Sequence, residues 1–297
     1  MPLKESIYGN NPFDLDNTSA YEAWKSDKLE SYPQYAEQLI VEIDDPRQLK
    51  HSEREAILAN CAKANMAVYV GNTGADPDKL IPATLGAQLG LLHLDRNMGA
   101  DNDGITTLKV VDEQWRSRYI PYTNRPIHWH TDGYSNNLDQ QIHSLLLHCV
   151  NPASKGGENA LLDHEIAYIR LRDENPAYIQ ALMAPDVMTI PANIEQGTVL
   201  RPARCGSVFS PYYKKYLHMR YTARRQNIEW KNTTQTRAAV AALENLLTSD
   251  DPLIYRLRLQ PGWGVISNNV LHDRSGFDDD EQNSRLLYRL RYFDRIN

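Results

Sequence analysis

The sequence is poor in features of secreted and membrane proteins. Its only cysteines, Cys61, Cys149 and Cys205, lie far apart and form no CxxC pair, so neither a disulfide framework nor a thiolate zinc site is encoded. No apolar run approaches the length of a membrane span, and the N-terminus has no hydrophobic segment of the signal-peptide type. We therefore expect a cytoplasmic protein with no membrane partner.

Basic residues are also in deficit. Lysine and arginine total 32 against 38 acidic residues, and the resulting net charge of −6 argues against a broad nucleic-acid surface. Hydrophobic residues make up 41% and charged residues 24% of the chain, which is ordinary for a folded globular protein. We expect a small-molecule substrate and no nucleic-acid partner, with a homo-oligomer left open.

No internal repeat, low-complexity tract or flexible linker marks a domain boundary. The length therefore predicts a single domain over residues 1–297, with a mixed α/β part at about 1–104 and a β core at about 105–297. In the first part, helical spacing at 52–65 precedes a strand-like run at 66–71, and we expect both to flank the core.

The core part consists of short β-type runs separated by turn residues, a pattern typical of a sandwich or barrel. Two helical insertions interrupt it, one opened by Asn175 and Pro176 and one at 233–247, which is rich in alanine and leucine. In the run at 284–293, polar and apolar positions alternate, so one face carries Arg285, Leu287, Arg289 and Arg291. A barrel interior that receives an anion would explain this face, although a half-exposed antiparallel strand shows the same alternation.

A histidine and an aspartate form the first candidate metal-binding motif. His130 and Asp132 are two residues apart, which on an extended chain points both side chains to the same side. A third facial ligand for iron normally comes from a remote strand, and His272 is the best candidate. Imidazole and carboxylate ligands suit Fe(II), and three ligands on one face leave positions open for a co-substrate and dioxygen. Because such a pair also occurs by chance, the surrounding motifs must decide.

From about residue 105 onwards, four motifs occur in the order found in one enzyme family. They are WHTDGYSN, the glycine pair of GGENALLD, LQPGWGVISNNVLHDRSGF and the final SRLLYRLRYF. On these motifs the chain resembles the TauD/TfdA-like (taurine dioxygenase) family of Fe(II)/2-oxoglutarate-dependent oxygenases. The resemblance implies a mostly β fold with flanking α elements, built on a double-stranded β-helix (jelly-roll) core.

The resemblance also implies roles for individual residues. His130, Asp132 and His272 would bind the iron, and Arg285 would pair with the distal carboxylate of 2-oxoglutarate. A guanidinium suits a carboxylate because it donates two parallel hydrogen bonds. The retained Asp132 favours oxygen transfer, since related halogenases have a small residue in its place.

Two further residues are candidate co-substrate contacts by the same resemblance. Arg289 shares a face with Arg285, and in the family the second arginine contacts either the substrate's anionic group or the co-substrate. Asn159 stands where the family often has a threonine that hydrogen-bonds the co-substrate carboxylate. The amide of Asn159 can donate an equivalent bond.

We therefore expect a 2-oxoglutarate-dependent non-haem iron dioxygenase that uses Fe(II), 2-oxoglutarate and O2. The expected reaction is hydroxylation of a small polar, anion-bearing metabolite with release of succinate and CO2. Desaturation, cyclisation or bond cleavage would use the same three ligands. A zinc hydrolase and a non-catalytic jelly-roll binding protein also remain open, although Arg285 and the glycine pair weigh against both.

Overall fold

The computed structural model describes residues 11–111, 116–224, 226 and 228–297. In these residues the helices are α1 (Thr18–Leu29), α2 (His51–Ala64), α3 (Leu80–Gln88), α4 (His164–Glu174), α5 (Pro176–Leu182) and α6 (Thr234–Leu247). The strands are β1 (Ile40–Ile43), β2 (Met66–Gly71), β3 (Thr106–Leu108), β4 (Ile127–His130), β5 (Ser144–Asn151), β6 (Lys155–Gly156), β7 (Asn159–Leu162), β8 (Met188–Ile190), β9 (Asn193–Glu195), β10 (Thr198–Arg201), β11 (Arg204–Gly206), β12 (Phe209–Tyr212), β13 (Tyr216–Met219), β14 (Glu229–Trp230), β15 (Tyr255–Leu257), β16 (Trp263–Ser267), β17 (Leu271–Arg274), β18 (Phe277–Asp278) and β19 (Leu286–Tyr292).

The chain divides into two compact units. The helical unit comprises the described parts of Met1–Tyr32, His164–Arg220 and Arg225–Ser249, and the β unit comprises those of Pro33–Asp163, Tyr221–Arg224 and Asp250–Asn297. The expected single domain over 1–297 stays a prediction.

Two sheets form the framework of the β unit. A six-stranded sheet has the order β1-β2-β16-β5-β19-β3, and a four-stranded sheet has the order β15-β7-β17-β4. Six strands, taken in chain order, alternate between the smaller and the larger sheet: β4, β5, β7, β16, β17 and β19. This alternation is what a double-stranded β-helix requires, because each turn of the chain contributes one strand to each sheet.

The N-terminal strands β1 and β2 are part of the larger sheet and extend it at one edge. β1 pairs with β2 in parallel, and β2 pairs antiparallel with β16. The helices α2 and α3 supply apolar residues such as Ile57 and Leu85 to a cluster that also contains Leu146, Leu290 and Tyr292. One face of β19 is thus buried in this apolar cluster, and the arginines alternate onto the other face.

The helical unit contains α1, α4, α5 and α6. Asn175 caps α5 by accepting a hydrogen bond from the backbone N–H of Ala177, and Thr233 caps α6 in the same way, so both predicted helical insertions are confirmed. The helix α4 was not predicted. Eight of its eleven residues are buried, and they include His164, Glu165 and Arg172 beside apolar residues, so its sequence shows no clear division into an apolar and a polar face.

Other elements differ from the expectations only in length. The predicted helix at 52–65 and the strand at 66–71 correspond to α2 and β2, and the alternating run at 284–293 contains β19. No helix in the described part of the chain is long and apolar enough to cross a membrane. The expectation that the N-terminus has no signal segment concerns the first ten residues, which lie outside the described residues. The cytoplasmic location stays a prediction.

Candidate active site

Three side chains predicted as iron ligands converge in the β unit. His130 ends β4, Asp132 follows two residues later, and His272 on β17 pairs with His130 in antiparallel register. One ligand atom from each of the three lies within 4.8 Å of the others, and all three residues are buried. Strand pairing therefore brings together residues that are far apart in sequence.

Backbone carbonyls orient both histidines. Nδ1 of His130 lies 3.0 Å from the carbonyl oxygen of His128, and Nδ1 of His272 lies 2.9 Å from that of Val270. Because a carbonyl only accepts, each Nδ1 must carry the proton, which leaves Nε2 of the neutral ring with a free lone pair. Burial, together with the neighbouring His272, lowers the pKa of His130 to about 3, so its ring is neutral at physiological pH.

The two oxygens of Asp132 have different surroundings. Oδ1 accepts a hydrogen bond from Nη1 of Arg289 at 3.2 Å and lies 3.9 Å from Nη1 of Arg291. Oδ2 is buried and has no hydrogen-bond partner among the described residues. Burial by itself raises the pKa of the carboxyl, but the two guanidinium groups hold it well below its usual range. Asp132 is thus a carboxylate with one oxygen available to a cation.

This donor set fits Fe(II). Two imidazoles that can each offer Nε2, and one carboxylate whose buried Oδ2 lacks a hydrogen-bond partner among the described residues, match the donor set of a two-histidine, one-carboxylate facial triad. Hydrogen bonds from the other ring nitrogens to backbone carbonyls are the usual outer support of such ligands.

Asn269 fixes the backbone at Asp132. Its Oδ1 accepts from the Asp132 N–H at 2.8 Å, and its Nδ2 donates to the carbonyl oxygens of Asp132 at 2.9 Å and Ile142 at 2.8 Å. Asn269 is buried and has a left-handed backbone with φ 52°, a conformation that asparagine tolerates better than most residues. The side chain of Asn269 therefore fixes the backbone of a predicted metal ligand 137 positions earlier in the chain.

The arginines of β19 form an ion-pair network at this carboxylate. Arg291 donates from both Nε, at 2.9 Å, and Nη2 to Oδ2 of Asp95, and this pair holds the guanidinium of Arg291 near Asp132. Arg289 lies against Asp132, and its Nε is buried without a hydrogen-bond partner among the described residues. The expected contact of Arg289 with substrate or co-substrate stays a prediction.

Arg285 lies one residue before β19 and is buried, with 4% of its surface exposed. It forms no ion pair within 4 Å among the described residues, and its guanidinium carbon lies 5.1 Å from the centre of the Phe277 ring. Burial lowers the pKa of Arg285 to about 10, so the side chain stays cationic at neutral pH. A buried cation of this kind is a suitable receptor for a carboxylate.

The glycine pair that precedes β7 allows close packing beside Arg285. A Cβ atom on Gly156 would overlap the carbonyl oxygen of Gly276, and a Cβ atom on Gly157 would lie 3.5 Å from Nε of Arg285. Both glycines have positive φ, of 69° and 71°. The motif is therefore needed for the backbone path next to this arginine.

Asn159 lines the same small cavity as Arg285. Its Nδ2 donates to the carbonyl oxygen of Asp273 at 3.0 Å, so one of its two amide hydrogens is already used. The predicted contact between Asn159 and the co-substrate stays a prediction.

The sequence did not identify Asn269, Arg291 or Asp95 as part of the site. Asn269 belongs to the NNVLH motif, and its nearness to His272 was the only signal of its role. Arg291 was placed correctly on the cationic face of β19, but its partner Asp95 has no local motif.

The chain has relatives among families, curated proteins and solved structures. The model of the taurine catabolism dioxygenase TauD, TfdA family matches residues 25–291. A uridine-5'-phosphate dioxygenase of Amycolatopsis sp. is 30% identical over 173 residues, which is 55% of this chain and 60% of that protein. A uridine-5'-phosphate dioxygenase of Streptomyces sp. is 29% identical over 199 residues, 64% of this chain and 69% of that protein. The chain thus matches 60% to 69% of the length of these relatives.

Solved structures show the same fold. An asparagine oxygenase in complex with Fe(II), 2S,3S-3-hydroxyasparagine and succinate has a TM-score of 0.59 at 15% identity, covering 97% of this chain and 86% of that one. The non-heme iron oxygenase OrfP in complex with Fe and alpha-ketoglutaric acid has a TM-score of 0.60 at 15% identity, covering 93% and 91%. The predicted double-stranded β-helix class is confirmed by these structures. Because the family model spans most of its length, the chain belongs to the TauD/TfdA dioxygenase family, as its motifs indicated.

Proposed function

We propose that the protein is a 2-oxoglutarate-dependent, non-haem iron dioxygenase that acts on a small, anion-bearing molecule and releases succinate and CO2. One observation carries the proposal: two imidazoles and a carboxylate meet within 4.8 Å in the same unit as the buried Arg285. Among the described residues, one oxygen of that carboxylate has no hydrogen-bond partner and Arg285 forms no ion pair within 4 Å. Membership of a dioxygenase family and oxygenase neighbours captured with iron, succinate or alpha-ketoglutaric acid support it.

Each side chain then has a defined task. His130, Asp132 and His272 hold Fe(II), which with 2-oxoglutarate and O2 supplies the oxidation of a substrate C–H bond coupled to decarboxylation. Arg285 binds the distal carboxylate of 2-oxoglutarate, since a charge-assisted pair suits a buried cation that forms no ion pair within 4 Å in the described part of the chain. Asn159 remains a candidate donor to the same carboxylate through its second amide hydrogen.

We further propose that Arg289 binds the anionic group of the substrate. Its guanidinium lies at the metal ligands, 3.2 Å from Asp132, and its Nε still lacks a partner among the described residues. The relatives named for uridine-5'-phosphate support a phosphate as that group. Hydroxylation is the proposed outcome, and for it the protein has to hold one C–H bond of the substrate beside the metal.

Anaerobic addition of Fe(II) and 2-oxoglutarate tests the proposal. The native protein should develop a visible charge-transfer band, and His272→Ala should abolish it because a ligand is lost. The matched control is His51→Ala, which removes an exposed histidine at the start of α2 and should leave the band intact. In air, nucleoside 5'-phosphates, uridine-5'-phosphate among them, should trigger succinate release. Absence of both the band and succinate would refute the proposal, and product formation without O2 would identify a hydrolase.

A further inference from the structure

The cavity beside Arg285 contains a second arginine. Arg258, which follows β15, and Arg285 both line it, together with the neutral side chains of Cys149 and Asn159 and the glycine pair. No aspartate or glutamate belongs to the described lining. Burial raises the pKa of the Cys149 thiol to about 12, so this group is uncharged and contributes no anion. The cavity therefore has two cationic groups and no internal counter-charge.

Arg258 is held in place by the backbone. Its Nη2 donates to the carbonyl oxygen of Ser154 at 3.2 Å and to that of Ala153. Its Nε is buried and has no hydrogen-bond partner among the described residues, and within them the side chain forms no ion pair within 4 Å. A buried N–H without an acceptor is unfavourable, so this donor is available to a ligand oxygen.

Asn159 can donate too few hydrogen bonds to satisfy a ligand carboxylate, which leaves acceptor sites for Arg258. One amide hydrogen of Asn159 is used by the carbonyl oxygen of Asp273, so at most one remains for a ligand in the cavity. A carboxylate offers four lone-pair sites on two oxygens, which is enough to accept from two guanidinium groups at once.

We propose that Arg258 is a second binding residue for the distal carboxylate of 2-oxoglutarate, alongside Arg285. This inference rests on the proposed function and adds to it a specificity-determining residue. Two cations in one small cavity select a 2-oxo acid with a terminal carboxylate over one with an apolar end, because an apolar end offers neither guanidinium an acceptor or a counter-charge.

A pair of matched ligands tests the proposal without turnover. 2-Oxopentanoate has the same chain length and the same 2-oxo acid end as 2-oxoglutarate, but a methyl group replaces the distal carboxylate. Both are titrated anaerobically into the Fe(II)-loaded protein, and the ratio of their Kd values reports on the distal carboxylate alone. Arg258→Gln should reduce the preference for 2-oxoglutarate by roughly ten- to a hundredfold, the effect of one charge-assisted hydrogen bond. Its affinity for 2-oxopentanoate should stay within about twofold.

Two more variants complete the design. Arg258→Lys keeps the charge and should recover part of the preference. Arg256→Gln removes an exposed arginine two residues earlier on β15 and should leave the preference unchanged. Thermal melting of each metal-free variant confirms that it is folded.

The outcomes separate the two proposals. If Arg258→Gln keeps the native preference, or weakens both ligands equally because the backbone at Ala153 and Ser154 has moved, the role of Arg258 is refuted while the dioxygenase assignment stands. If the native protein binds neither ligand in the presence of Fe(II), the proposed function itself is refuted, and the role of Arg258 with it.

Discussion

Replacing Asn269 by glycine isolates the contribution of one buried side chain to the metal site. Asn269 makes three hydrogen bonds of 2.8 to 2.9 Å, two to the backbone of Asp132 and one to that of Ile142. Glycine adopts the φ of 52° without strain, so the backbone path is retained while all three bonds are lost. The variant should therefore be destabilised chiefly through these bonds.

The expected magnitude follows from the bonds removed. Each buried hydrogen bond contributes about 1 kcal/mol net, and leaving its partner unsatisfied adds to the loss, so the free energy of unfolding should fall by about 3 to 5 kcal/mol. At about 2 °C per kcal/mol for a chain of this size, the Tm of the metal-free protein should fall by roughly 6 to 10 °C. Because the backbone of Asp132 is no longer held, Fe(II) affinity should also fall, by roughly 10- to 100-fold.

Thermal melting of the metal-free protein and anaerobic competition with an Fe(II) chelator measure the two effects separately. The control is Gln196→Gly, which introduces glycine at an exposed position with a similar φ of 48°, where the side chain makes no hydrogen bond to another described residue. If Asn269→Gly costs no more stability than Gln196→Gly and Fe(II) affinity is unchanged, the positioning role of Asn269 is wrong.

Two further substitutions test packing in each unit. Gly156→Ala should lower the free energy of unfolding by about 2 to 4 kcal/mol, since its new Cβ would overlap the carbonyl oxygen of Gly276 and the residue has a positive φ. The control is Gly197→Ala, which also has a positive φ but has open space around the new Cβ, so it should lower the free energy of unfolding by only about 1 to 2 kcal/mol. Urea unfolding compares the two, and equal losses would contradict the steric argument. Lys28→Met should lower the free energy of unfolding by about 3 to 5 kcal/mol, because it removes the cation whose Nζ lies 2.5 Å from the buried carboxylate of Glu165. The double variant with Glu165→Leu should recover most of that loss in the same assay, and no recovery would mean that the charge of Glu165 is not the cause.

The convergence of the three candidate metal ligands was predictable because the relevant information is partly local. The spacing of His130 and Asp132 places both on one side of an extended chain, and the motif around His272 follows a strand pattern. The alternation of β19 likewise predicts a cationic face that contains Arg285 and Arg289. Side chains alternate between the two faces of a strand, so the face on which a residue lies can be predicted without knowledge of the rest of the fold.

The supporting residues were not predictable from periodicity. The pairing of Arg291 with Asp95 depends on where a loop before β3 lies relative to β19, and no spacing rule gives that contact. The role of Asn269 depends on a left-handed turn between two strands, which the sequence signals only weakly through an asparagine pair. The helix α4 was missed for a related reason, because burial on most sides removes the amphipathic pattern.

The antiparallel register between β4 and β17 has a consequence for folding. It joins His130 to His272, which are 272 − 130 = 142 residues apart, so the chain must close a very long loop before this pairing can form. Closing a flexible loop of that length costs about 4 kcal/mol in chain entropy, plus a constant. The helices α4, α5 and α6 lie inside the loop and pack on one another, so their earlier folding would shorten its flexible part. Contacts between residues so far apart in sequence form slowly. The cluster of His130, Asp132 and His272 should therefore be among the last features to form when the chain refolds.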